Sequence, residues 1–407
     1  MRKAGRFTSA LLLIAVGAAV IVDQYAGTAW TERLIEWWPL LFIALGLEYI
    51  WFNSRFKESD KALKLDLAGL IFAVIISAVV VVSMRSELWM HNGWSHFTQE
   101  KSYEQGMTEL PVPDELERIV LTNPAGDVTI RTGDSDRIVI HSTVQVGFGD
   151  ESQAEELAEQ SRVESETAGN TLTIKTVSPD RDHFWGMRKV RMNLIVTLPE
   201  RAQRTARLTL DLSNGSITAE QLKLAKEFKG TTTNGAIRLT EVEAAELDFQ
   251  STNAKIRTEK TKGKLKLQTT NGSIEAEEHE GDLRLKSTNG QLTAAKVSGA
   301  IAAETTNGEI RLDDTRSVVE ARTTNGSIEV NGAAVAGDWS LHTTHGKIDV
   351  ALPGNGDFQI EGQGQSVSNH STLPLRIFGK EIEGKIGTGK YQIKLDTNGS
   401  LAIRSSI

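Results

Sequence analysis

The 407-residue chain contains no cysteine, so it has no disulfide framework, no thiolate metal site and no cysteine nucleophile. It also lacks a strong basic balance. Lys and Arg number 45 against 53 Asp and Glu, a formal net charge of -8, whereas nucleic acid recognition wants a concentrated basic face. Prolines number only 8 and aromatic residues make up 6%. There is no Asp-rich calcium loop, no phosphate-cradling glycine motif and no Gly-x-Ser-x-Gly elbow. Gly387-Thr388-Gly389-Lys390 lacks the Walker spacing and reads as a turn.

What is present begins with three apolar segments. Leu67 to Met84 carries no charge, about enough to cross ~30 Å of hydrocarbon at 1.5 Å per residue. Phe7 to Val22 is also uncharged, and Trp37 to Phe52 contains only Glu48. We expect spans at about 7–22, 34–52 and 67–84, the alternative being one true span preceded by two interfacial or hairpin helices. Asp23-Gln24-Tyr25 follows the first run where a cleaved leader would carry small residues, so that run reads as retained. Trp30, Trp37, Trp38, Trp51, Trp89 and Trp94 sit near the segment ends, where amphipathic rings favour the headgroup level. Arg2, Lys3 and Arg6 precede the first segment, and Arg55, Lys57, Lys61 and Lys64 separate the second from the third. The positive-inside rule then places the N-terminus in the cytoplasm and everything after Met84 outside it. Glu48 reads as an end-of-helix residue near the interface.

Beyond residue 200 the sequence repeats. LTLDLSNGSI, FKGTTTNGAI, LDFQSTNAKI, LKLQTTNGSI, LRLKSTNGQL, IAAETTNGEI, VEARTTNGSI and WSLHTTHGKI align between residues 208 and 348. The markers are Asn214, Asn234, Asn253, Asn271, Asn289, Asn307, Asn325 and His345. A fixed period near ~20 residues signals a solenoid or array. Apolar alternation on both sides of the Asn-Gly pair gives half-buried strands. The pairs Asn214-Gly215, Asn234-Gly235, Asn271-Gly272, Asn289-Gly290, Asn307-Gly308, Asn325-Gly326 and Asn398-Gly399, with Asn253 before an alanine, read as turns whose residues tolerate positive φ. Asn-Gly is also a hairpin signal, but an antiparallel meander of these units would make a sheet well beyond ~10 strands with one face uncovered. We therefore expect N-terminal transmembrane α-helices followed by an all-β domain, a parallel β-helix of about eight coils, roughly 40 Å long. Stacked Thr and Asn would bond along its axis as ladders.

The expected organisation is a transmembrane helical region over 1–90, a connector over 91–114, and a β-rich cap over 115–200 with a short helix at 150–164 whose N-cap is Asp150. Solenoid repeats follow over 201–350, then C-terminal coils and a cap over 351–407. PGNGDFQIEGQGQ (353–365) reads as a loop or distorted coil.

Parallel β-helices include polysaccharide lyases, whose sites need clustered carboxylates. The densest acids near the repeats, Asp313-Asp314 and Glu275, Glu277 and Glu278, read as solvated strand faces. His342 and His345 are a near pair, but at that spacing they point in different directions. The Asn-Gly-Ser triplets at Asn214, Asn271, Asn325 and Asn398 match a glycosylation acceptor, although turn geometry already accounts for them. The Thr-Thr-Asn strip reads as structural, with a polar ridge for glycans or other chains as its functional reading. Neither a catalytic residue nor a cofactor or metal is expected.

From about Leu116 to Ile407, with NPAGDVTI and the TTNGxI units, the chain resembles the "putative adhesin" family of bacterial β-strand-repeat proteins. LLLIAVGAAVIV followed by WWPLLFIALGLEYIW resembles the transmembrane region of Lia-type cell-envelope stress proteins. These resemblances imply a multi-pass envelope protein with an adhesin-like binding or scaffolding surface, linked to stress sensing. Its partners would be the lipid bilayer and a cell-wall or surface glycan or another membrane protein, and not nucleic acid. The alternatives are a carbohydrate-active enzyme at the cell surface and a membrane regulator of a partner histidine kinase.

Overall fold

The computed structural model describes residues 100–147, 151–179 and 190–406, with scattered positions before them (Lys3, Ala4, Thr8, Ala10, Leu13, Ile14, Gly17, Ala18, Gly46, Leu47, Glu48, Ile50, Lys64 and Leu65). Two units result, Met1–Gln99 and Glu100–Ile407. In the first, Lys3–Ala4 pairs in parallel with Lys64–Leu65. The Glu48 carboxylate accepts hydrogen bonds from the Thr8 backbone N–H (2.9 Å) and hydroxyl (2.5 Å). Glu48 is thus a buried tie between the first two apolar segments. The expected spans fall mostly outside the described residues, and among those described no helix is long and apolar enough to cross a membrane.

The second unit is a flattened solenoid of two parallel sheets. Each coil runs up one sheet, turns at the Asn-Gly corner, runs along the other sheet and turns again at a second corner. The pairing is parallel throughout the repeat: Leu265 lies beside Leu283, Leu283 beside Ile301 and Ile301 beside Val319 in the first sheet. In the second sheet Ile274 lies beside Leu292 and Leu292 beside Ile310. This pairing decides against the meander. Each coil sends alternate apolar side chains inward, as Leu265, Leu267, Ile274 and Ala276 do, all buried. Burying one such Leu or Ile stabilises by about 1.5 to 3 kcal/mol.

The aligned units form consecutive coils in chain order, and two further coils stack at each end, those at the C-terminal end within the residues expected to hold coils and those at the N-terminal end within the residues expected to form only a cap. At the N-terminal end, Arg118–Ala125 and Val128–Gly133 form a coil against the first repeat. Outside it lie Thr171–Val177 and Val190–Pro199, later in sequence yet farther out in space. The C-terminal end mirrors this. Tyr391–Thr397 and Ser400–Ser405 stack on the last repeat, and the outermost coil comes from the earlier Phe358–Gln363 and Ser366–His370. The segment 353–365, expected as a loop or distorted coil, contributes the strand Phe358–Gln363 to that coil.

Antiparallel strands close both ends. Arg162–Ala168 pairs with Thr171–Val177, Arg137–Gly147 with Val190–Pro199, and Glu100–Pro111 with Arg137–Gly147. Much of the expected connector is thus a cap strand. Glu381–Ile386 covers Phe358–Gln363 at the other end. Such covers shield the open edge of a sheet. The cap helix is shorter than expected, Glu151–Gln160, and Asp150 lies outside the described residues. Ala154, Leu157 and Ala158 pack it on Val144, Val146 and Met192. The Gly169-Asn170 turn, with Gly169 at φ +57°, folds residues 162–168 back as a hairpin and takes them out of the helix.

The Asn-Gly glycines have a different cause from the one expected. None of Gly215, Gly235, Gly272, Gly290, Gly308, Gly326 and Gly399 adopts positive φ; each is crowded by the coil before it. A Cβ on Gly308 would sit 2.0 Å from the Gly290 carbonyl oxygen. Gly308→Ala is therefore expected to destabilise the solenoid by about 1 to 3 kcal/mol, read from the denaturant midpoint of the full chain in detergent. Gly354→Ala, where nothing lies within 4 Å, should leave the midpoint unchanged.

Candidate functional site: the Asn-Gly corner

The corner is built of three columns along the solenoid axis. The innermost holds the first Thr or Ser of each Thr-Thr-Asn unit, which is buried. Its hydroxyl donates to the turn carbonyl of the preceding coil: Thr305 to Gly290 (3.2 Å), Thr323 to Gly308 (3.1 Å), Thr343 to Gly326 (2.9 Å) and Thr397 to Gly346 (2.7 Å). Ser251 breaks the series, its hydroxyl buried without a partner.

The marker asparagines form the second column, an amide ladder of one polarity. Each Nδ2 donates to the Oδ1 of the asparagine one coil earlier: Asn234 to Asn214, Asn253 to Asn234, Asn271 to Asn253, Asn289 to Asn271, Asn307 to Asn289 and Asn325 to Asn307, all at 2.8 to 2.9 Å. In register, the column ends on Ala125 at one side and His345 at the other. At a spacing of ~4.8 Å it extends about 29 Å. Each amide keeps one N–H and one lone pair for solvent. Asn398 stands apart, because only Asn398 and Gly399 follow Thr397 where Thr344, His345 and Gly346 follow Thr343.

The third column is the second Thr of each unit: Thr233, Thr252, Thr270, Thr288, Thr306 and Thr324, all exposed, and Thr344, half-buried. Among the described residues none bonds their hydroxyls. The corner thus offers a straight, neutral double row of hydroxyls and amides with no intramolecular use for the hydroxyls.

Other residues singled out in the sequence are engaged elsewhere. Glu275 pairs with Lys255 (2.5 Å), Glu278 with Lys296 (2.9 Å) and Asp314 with Arg316 (3.2 Å). Asp313 accepts from Asn331 at 2.5 Å. His342 Nδ1 lies 2.9 Å from the Asp396 carboxylate, away from His345 at the end of the ladder. Gly387-Thr388-Gly389-Lys390 does cradle an anion, the chain's own Asp357. This carboxylate accepts from the Thr388 hydroxyl (2.8 Å) and the Lys390 backbone N–H (3.1 Å), which hold it below its usual range.

Two features escaped the sequence reading. Asn123, fully buried, donates to the Gly126 and Met192 carbonyls and accepts from Thr176, tying the two N-terminal coils together. His279 is buried in the core between Thr261 and Val297 at the second corner. Its Nε2 faces the Asp282 carbonyl (3.3 Å), which can only accept, so Nδ1 accepts from the Thr261 hydroxyl (2.9 Å). Burial pushes its pKa below the ordinary 6.5.

The repeats match the Toastrack DUF4097 family over residues 116–312 and again over 296–403. The chain belongs to that family. The Toastrack match falls on the stretch that resembles the adhesin repeats. No curated protein matches the chain. Among solved structures, the chain is similar to a "putative cell adhesion protein" from Clostridium sporogenes (10% identity, 75% of this chain and 100% of that one, TM-score 0.22). It is also similar to a "putative adhesin" from Parabacteroides distasonis (13%, 75% and 97%, 0.29) and another from Parabacteroides merdae (13%, 77% and 97%, 0.28).

Two outcomes test this geometry. Asn289→Ala removes two rungs of the Toastrack amide ladder and is expected to cost about 1 to 2 kcal/mol in denaturant unfolding, whereas Asn398→Ala should cost less than about 0.5 kcal/mol. For His279, the unfolded imidazole titrates near 6.5 and the folded one lower. Below 6.5 the unfolded chain therefore binds more protons, and stability falls as the pH drops toward the folded value. His279→Val, matching Val297 beside it, should flatten that acid-side slope in unfolding midpoints measured from pH 7 to pH 5.

Proposed function

We propose that this Toastrack protein is a membrane-anchored surface protein whose solenoid is an adhesin-like binding surface for a linear, neutral glycan of the cell envelope. The observation that carries the reading is the exposed Thr column beside the amide ladder. Its hydroxyls have no partner among the described residues, stand in register over successive coils and carry no charge, while the second corner is densely ionic. A neutral polyhydroxylated chain lying along the axis would meet one donor and acceptor set per coil. Many weak contacts on one rigid array give useful avidity.

The anchor rests on the three apolar segments and the charge asymmetry of their loops. The pairing of Lys3–Ala4 with Lys64–Leu65 supports it by bringing the two basic pieces together. With both cytoplasmic, the solenoid is extracytoplasmic. The link to envelope-stress sensing rests on the Lia-type resemblance of the first two apolar segments.

The test is co-sedimentation of the full chain with isolated cell-wall glycan. The variant Thr252→Val/Thr270→Val/Thr288→Val/Thr306→Val keeps side-chain shape and removes four hydroxyls. Binding should weaken at least about tenfold, since each lost hydrogen bond contributes roughly 0.5 to 1.5 kcal/mol. Undiminished binding by this variant would overturn the reading.

A further inference from the structure

The second corner carries a feature that neither glycan binding nor core packing requires. In six successive coils one residue is held in the left-handed region, and none is glycine: Gln221 (φ 51°), Glu241 (56°), Lys260 (51°), Glu278 (54°), Lys296 (55°) and Asp314 (51°). That conformation is sterically costly for a side-chain-bearing residue, and long charged side chains are an unexpected choice where glycine would fit without strain. Observed strain of this kind points to a role for the side chains.

The charges alternate by coil. Glu241 and Glu243 give an acidic corner, Lys260 and Lys262 a basic one, Glu278 and Glu280 an acidic one, Lys296 a basic one, and Asp314 restores the acid. The contacts run along the axis: Lys260 to Glu241 (3.6 Å), Lys262 to Glu243 (3.9 Å) and Glu280 (3.6 Å), and Lys296 to Glu278 (2.9 Å) and Glu277 (3.9 Å). In this column Lys260, Glu278 and Lys296 each stand between opposite charges, while Glu241 and Glu278, Lys260 and Lys296, and Glu278 and Asp314 are like charges two coils apart, Asp314 being paired with Arg316 of its own corner.

The core supplies little of this discrimination over the same stretch, where His279 marks one coil and the aliphatic residues mark the others weakly. Coils 264–280, 283–297, 301–315 and 319–332 bury nearly interchangeable sets: Leu265, Leu267, Ile274 and Ala276; Leu283, Leu285, Leu292 and Ala294; Ile301, Ala303, Ile310 and Leu312; Val319, Ala321, Ile328 and Val330. The Thr-Asn-Gly corner is likewise repeated. A chain that looped out coil 283–297 would keep the contact of His279 with Thr261 and meet similar aliphatic pockets and the same ladder. Earlier coils are better marked, since Phe249 fills the space over Gly230, where a Cβ would lie 2.5 Å from its ring.

We infer that the alternating charges of the second corner are a register code, which blocks stacking of a coil on its second neighbour by setting like charge against like. Omitting coil 283–297, for example, would bring Glu278 against Asp314. Long charged side chains, unlike glycine, can carry that information, which accounts for their place in a strained conformation. The device acts during folding, when coils choose partners, and works against a competing arrangement as much as for the native one.

The absence of cysteine allows a direct test with introduced pairs in the full chain, refolded from denaturant into detergent and oxidised. Thr270→Cys/Thr288→Cys reports neighbouring coils, about 4.8 Å apart, and Thr270→Cys/Thr306→Cys reports a skipped coil, otherwise about 9.6 Å apart and beyond disulfide reach. With native charges only the first pair should close. In the neutral background Glu278→Gln/Lys296→Gln/Asp314→Asn the second pair should close in a measurable fraction of refolded chains. The inverted background Glu241→Lys/Lys260→Glu/Glu278→Lys/Lys296→Glu/Asp314→Lys keeps alternation along the whole charged column and should behave as the native chain does. The inference is overturned if the neutral background never closes the skipped pair. It is equally overturned if the inverted background misfolds or closes it, because charge identity rather than alternation would then be at work.

Discussion

The close parallel stacking of one coil on the next is the constraint from which the other features follow. At a separation of ~4.8 Å every residue faces its counterpart in the next coil, so each position becomes a column and each column must tolerate its own repetition. The turn glycines satisfy this by having no Cβ to meet the carbonyl below. The first Thr satisfies it by donating to that same carbonyl, and the asparagines by bonding to one another. Residues that would be unremarkable once become a ladder when repeated.

The two corners solve the same problem in opposite ways. The Asn-Gly corner is neutral, made by close backbone approach and closed by hydrogen bonds along the axis. The second corner is ionic, with its backbone forced into the left-handed region and its side chains alternating in sign. Like charges stacked in one column would repel, whereas a neutral amide column can repeat one residue without penalty. A uniform neutral ridge suits a repetitive ligand, while a patterned ionic ridge carries information about which coil is which. The proposed binding surface and the inferred register code lie on different edges of one Toastrack solenoid.

Burial adds a titratable element to this division. His279 occupies a position that Val242 and Val297 fill in nearby coils, and burial lowers its pKa because charging it would strand a cation in the core. Asp349 shows the converse. Burial pushes its pKa up, but Lys347 and Arg404 together outweigh that and hold the carboxylate below its usual range.

The repeat was legible because a column in space is a period in sequence. Asn214 through Asn325 marked the coils, their order and the parallel stacking, and the alternating apolar residues marked the inward faces. The sequence did not disclose why the glycines are needed, since close backbone approach and positive φ select the same residue. The left-handed positions were hidden in turn, because Glu, Lys and Asp are not residues one associates with that conformation. The ends were illegible for a different reason. Residues 358–370 lie outside residues 391–405, and residues 171–177 and 190–199 outside 118–133, through pairings between segments that carry no shared motif. The sequence by itself determined the repeating interior, where each coil's neighbour is the next in the chain. Only the tertiary structure decided the caps, because there a strand's partner is whichever segment can cover the open edge, and that depends on the whole fold.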